Sequence, residues 1–105
     1  MKVKWMPQAK WQVRDVARYI RKEFGKKVRD NFMKDIRESS RLIGHTPTVG
    51  KIEPLLVDCQ DMYRSYVVNH LNKIIYRILD DCVEVVDFWD VRREPSTLAE
   101  NIKES

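Results

Sequence analysis

Residues 63–93 read YRSYVVNHLNKIIYRILDDCVEVVDFWDVRR, and this stretch decides the fold. Three runs rich in Val, Ile, Tyr, Phe and Trp, at 62–69, 73–79 and 82–91, are separated by polar breaks of hairpin length at 70–72 and 80–81. β-Branched and aromatic side chains suit a half-buried pleated surface, so the spacing predicts an antiparallel meander. A two-residue turn at Asp80 and Asp81 predicts Arg77 opposite Glu84 and Ile75 opposite Val86. A turn at Leu71 and Asn72 predicts Tyr66 opposite Arg77 and Val68 opposite Ile75.

Period two then sorts the side chains. Tyr63, Ser65, Val67, Ile74, Tyr76, Ile78, Val83, Val85, Asp87 and Trp89 are expected on the face that packs against the rest of the chain. Arg64, Tyr66, Val68, Lys73, Arg77, Glu84 and Phe88 are expected on the other face. Cations interleaved with aromatic rings on a sheet can hold phosphates and stack a base. Equally, Arg77 and Glu84 can be a solvated cross-strand pair, with Tyr66 and Phe88 under the C-terminal tail.

Working outward, Lys2 to Met6 alternates and stops at Pro7, which predicts a first strand with Val3 and Trp5 on one face. From Gln8 the period lengthens: Ala9, Val13, Val16, Ala17, Ile20 and Phe24 make one helical stripe, ended by Gly25. Val28, Phe32, Ile36 and Ile43 make a second stripe that closes at Gly44 and Pro47. Two helices with so short a joint predict an antiparallel hairpin whose apolar faces need the sheet. Between hairpin and meander, a short strand is expected after Pro54, in the Leu55–Val57 region. The fold class is therefore α+β: an N-terminal strand, a two-helix hairpin, then a 3–4 stranded antiparallel meander.

A chain of 105 residues has room for one domain and one modest core, so any mechanism must fit on one surface. Only 3 Gly and 4 Pro, with 43% hydrophobic and 34% charged residues, exclude a low-complexity or disordered chain. The net charge of +4 favours an acidic or polyanionic partner only mildly, so the placement of the cations has to decide. Cys59 and Cys82 lack zinc spacing and make no disulfide framework; neither metal nor cofactor is expected. No segment reads as a signal peptide or a membrane span, so the expected location is the cytoplasm, with no membrane partner.

The order strand, helix hairpin, meander, with YRSYVV, KIIYRILDD, VEVVDFWDVRREP and the helical DVARYI, resembles the RelE/ParE family of bacterial toxins over residues 2–95. The resemblance implies a plasmid-stabilisation type of toxin–antitoxin module with residues 1–95 as the toxin domain; in the 96–105 tail, Thr97 with Glu100 can cap a short helix. It implies a cognate antitoxin as partner. RelE-like members cut messenger RNA on the ribosome, as mRNA interferases, and this is the mechanism expected here; the alternative is that of ParE-like members, which inhibit DNA gyrase without catalytic residues. A third implied role is an inactive member that binds its antitoxin and regulates the shared promoter.

Laid on this chain, the RelE-like pattern places cations at Arg64, Lys73 and Arg93, beside Arg92, whereas Tyr66 and Ala99 depart from it. Cleavage by the RNA's own 2′-hydroxyl needs a base, cations for the phosphorane charge and an acid for the leaving oxygen. The resemblance makes Arg64, Lys73 and Arg93 the catalytic candidates, with Tyr66, Arg77, Arg92 and His70 as substrate-binding candidates. His70 is the remaining candidate in that region of a residue type suited to proton transfer. Asp87 and Asp90 are expected to orient Arg92 and Arg93. A separate stripe, Lys10, Arg14, Arg18, Arg21 and Lys22, recurs along the outer face of the first helix. It is either a solvated face or a contact for phosphates or an acidic segment.

Overall fold

The computed structural model describes residues 1–91. Strand β1 (Lys2–Trp5) leads into helix α1 (Pro7–Phe24), with proline at the first helical turn, where its fixed φ and missing N–H are tolerated. Gly25 ends α1 at φ 94°, donates its N–H to Arg21 O at 3.0 Å, and passes directly into α2 (Lys26–His45). A residue with a Cβ is strained at that φ, so glycine makes the tight joint. Ala9, Val13 and Ala17 of α1, with Phe32, Ile36 and Ile43 of α2, are buried as the two stripes predict. Phe24 and Val28 are not: they are 61% and 45% exposed at the hairpin tip, where the stripes outrun their partner surface and Phe24 lies edge-on against Tyr19.

Five strands form one sheet in the order β1-β5-β4-β3-β2, with β2 at Lys51–Ile52, β3 at Arg64–Val68, β4 at Asn72–Ile78 and β5 at Cys82–Asp90. The expected meander is β3-β4-β5; β1 joins it in parallel along β5, and β2 extends it beyond β3. The predicted strand after Pro54 is instead a turn of 3-10 helix, Pro54–Leu56, and the short strand precedes the proline. The fixed φ and missing N–H of proline suit the start of such a turn better than a strand interior.

Two offsets correct the face assignment. The β3–β4 turn is Asn69, His70 and Leu71, with Asn69 and His70 at φ 50° and 66°, and it pairs Tyr66 with Ile74 and Val68 with Asn72. That register differs from the expected one by an odd number of residues, which turns β3 over. In the β4–β5 pair Arg77 faces Glu84 as predicted, but Ile75 faces Asp87, because a bulge between Ile75 and Tyr76 leaves Val86 as the extra residue. The bulge turns Phe88 inward and Asp87 and Trp89 outward.

Tyr66, Val68 and Phe88 therefore join Ile74, Tyr76, Val83 and Val85 in the core under the helices, where Phe32 meets Phe88 edge-on at 6.1 Å. The opposite face carries a second small core of Leu56, Tyr63, Ile75 and Trp89, roofed by the segment that follows β2. Close approach fixes the first strand as well: a Cβ on Gly44 would lie 2.8 Å from Met1 O, and Trp5 Nε1 donates to Ser40 Oγ at 3.2 Å.

Candidate functional site

The sequence-predicted cations separate onto the two faces of the sheet. On the helix side, Arg64 at the start of β3 is half-buried and donates from Nη1 to Gly50 O at 2.8 Å. Beside it the Tyr76 hydroxyl donates to Pro47 O at 2.6 Å and accepts from Gly50 N at 2.9 Å. Gly50 is needed there for space, since a Cβ would sit 2.6 Å from the Tyr76 hydroxyl. Burial pushes the Tyr76 phenol up; the Gly50 N–H and the Arg64 charge oppose it, and burial wins. The phenol stays protonated at neutral pH and acts as a clamp on the 47–50 turn. Tyr66, two residues along β3, is half-buried against the same core.

On the opposite face, the Lys73 ammonium lies 2.7 Å from Glu53 Oε2, with the two side chains 15% and 1% exposed. Burial alone would raise the Glu53 carboxyl, but the bond from Lys73, the nearby Ser65 hydroxyl and the Leu55 N–H lower it overall. A phosphate at Lys73 would have to displace this buried carboxylate. Next along β4, Arg77 binds Glu84 through Nε at 2.9 Å and Asp61 through Nη1 at 2.5 Å. Burial works against the guanidinium charge, yet Glu84, Tyr63 and Asp61 together move Arg77 upward. The Tyr63 phenol beside them is raised, first by burial, and offers no acid near neutrality.

Arg64 and Tyr66 are thus brought together on one face and Lys73 and Arg77 on the other, while His70 stands exposed in the connecting turn. Arg92, Arg93, Ala99 and the expected tail helix lie outside the described residues. Among the described residues no group of three His, Cys, Asp or Glu side chains could hold a metal ion, and no helix is long and apolar enough to cross a membrane. Glu53, which pairs with Lys73, is the residue at this site that sequence reasoning passed over. A carboxylate set between Ile52 and Pro54-Leu55-Leu56 was its only signal. The helical stripe Lys10, Arg14, Arg18, Arg21 and Lys22 is exposed as expected; Arg18 is within 3.6 Å of Asp15, both well solvated.

Compared with known proteins, residues 3–95 match the profile of the family described as "ParE toxin of type II toxin-antitoxin system, parDE". Comparison with curated protein sequences finds no match. Among solved structures, a chain from "Chromosomal ParDE TA system from P. aeruginosa" is similar with a TM-score of 0.72 at 14% identity. The similarity covers 88% of this chain and 97% of that one, and at such low identity it speaks to the fold alone.

Proposed function

Because the chain belongs to the ParE toxin family of type II toxin–antitoxin systems, we propose that it arrests growth as a stoichiometric, non-enzymatic inhibitor of DNA gyrase, released from a cognate antitoxin. The observation that carries this reading is the separation of the cations. Phosphoryl cleavage requires its charge-stabilising groups to converge on one phosphate, whereas Arg64 and Lys73 lie on opposite faces and Lys73 is locked to Glu53. Among the described residues, burial raises both Tyr63 and Tyr76, so neither phenol supplies an acid near neutrality. A surface that acts by occupying its target needs none of these groups. The family membership supports gyrase as that target and an antitoxin as the neutralising partner.

Purified protein titrated into a gyrase supercoiling reaction tests the proposal, with messenger RNA on programmed ribosomes assayed in parallel. The expected result is loss of supercoiling at toxin concentrations comparable to gyrase, intact transcripts, and relief by the antitoxin. Cleaved transcripts with unimpaired supercoiling would overturn it. Such a result would return the catalytic role to Arg64, Lys73 and Arg93, and the substrate-binding role to Tyr66, Arg77, Arg92 and His70. Unaffected growth on expression without the antitoxin would instead support a member that only binds its antitoxin and regulates the promoter.

A further inference from the structure

We propose that the groove between α1 and α2 holds the phosphate backbone of a nucleic-acid strand. It is a concavity of about 310 Å³ lined by Arg14, Ala17, Arg18 and Arg21 of α1 and by Arg29 and Met33 of α2. Four of its six lining residues are arginines and none is acidic. The guanidinium fork pairs with phosphate oxygens two at a time, which a lysine cannot do. Arg29 Nε points into buried space without a hydrogen bond, although it lies 3.2 Å from Asp30 Oδ1 as an ion pair. The Arg14 guanidinium stands 5.9 Å over the ring of Trp11, which is 61% exposed and borders the same side of the helix.

The wider charge distribution points the same way. Residues 7–45 hold eleven Lys and Arg against five Asp and Glu, whereas the rest of the chain holds nine against eleven. The hairpin thus carries more than the whole chain's net charge of +4. Dimensions fit as well. Arg14 to Arg21 spans seven residues, roughly 10 Å at about 1.5 Å per residue. One strand of a duplex presents a phosphate roughly every 3.4 Å along its axis, so the ladder faces about three of them. An acidic amphipathic helix is the competing occupant, but such a partner anchors through apolar residues at i, i+3, i+4 and i+7. Apart from Trp11 at its border, which the Arg14 guanidinium covers, the groove offers it only Ala17, already buried, and half-buried Met33.

The test is fluorescence anisotropy of a labelled 20-base-pair duplex titrated with the full-length protein at several salt concentrations, which needs no gyrase and so stands or falls apart from the target proposed above. For three to four phosphates, affinity should fall roughly 40- to 150-fold between 50 and 200 mM salt. The exposed pair Arg14→Gln with Arg21→Gln should flatten the log–log salt slope by about 2, and Arg18→Gln alone by about 1. The charge-matched pair Lys4→Gln with Lys51→Gln, exposed on the sheet, should keep the wild-type slope. Equal losses in groove and control pairs would overturn the proposal by reducing it to net charge. Binding of an acidic helical peptide that the groove variants lose while duplex binding persists would assign the groove to a protein and overturn it too.

Discussion

Replacing Lys73 by Met removes the cation from a carboxylate that is 1% exposed and leaves Glu53 charged in the roof of the outer core. Breaking a buried pair from one side costs about 3–5 kcal/mol, because the remaining ion keeps its desolvation penalty and loses its partner. For a domain of this size each kcal/mol moves Tm by roughly 4–8 °C, so the variant should melt at least about 12 °C lower. The double variant Glu53→Leu with Lys73→Met, which removes both charges, should regain most of that loss, since apolar replacement of a buried pair is often neutral.

The pH dependence gives the sign. In the wild type the Glu53 carboxyl is depressed, so its contribution is present above the unfolded carboxylate range and is lost as pH falls through the lower folded value. In Lys73→Met burial is left without its main opposing interaction and the carboxyl moves up, so the variant's deficit should be largest at neutral pH and shrink on acidification. Urea denaturation at pH 7 and at pH 4.5 measures both. A Lys73→Met deficit below about 1 kcal/mol, or one that grows on acidification, would refute the lock and return Lys73 to the set of free phosphate-binding cations.

Tyr76→Phe should cost about 1–3 kcal/mol in urea denaturation, because Pro47 O and Gly50 N both lose their partner. Gly50→Ala should destabilise by about 1–3 kcal/mol through overpacking, and Tyr76→Phe should relieve that loss only in part, since the added Cβ would still meet Ser65 O at 2.7 Å. Gly25→Ala should cost about 1–2 kcal/mol, read as a lower Tm, since only glycine takes φ 94° without strain.

The stripes of α1 and α2, the three long strands and the Arg77–Glu84 pair were legible in the sequence because each depends on local period or on one short turn. The faces were not. Asn69 and His70 both adopt positive φ, for which asparagine and histidine are enriched among non-glycine residues, but that preference marks a turn without fixing its length, so the register stayed open. The bulge at Val86 likewise follows from what the sheet must bury: it sends Phe88 to meet Phe32 and Trp89 to meet Leu56 and Tyr63, contacts remote in sequence. The candidate site suffered most, since Arg64 and Lys73 were expected on one surface by an alternation that these two offsets break. Glu53 escaped notice because a carboxylate beside a proline ordinarily marks a solvated loop, and only the folded sheet brings Lys73 over it.

The parallel seam between β1 and β5 has a consequence for how the molecule is born. Lys2 pairs with Cys82 and Trp5 with Val85, so β1 leaves the ribosome and must wait for β5, about eighty residues later in the chain, to be made. At about 5–20 residues per second that delay is several seconds, during which the helix hairpin can form but has no complete sheet to cover. Pairing so distant in sequence is also slow to find once the chain is whole. A chain interrupted before Cys82 leaves β1 without a partner and the inner core open, so abortive products of synthesis lack the folded toxin altogether.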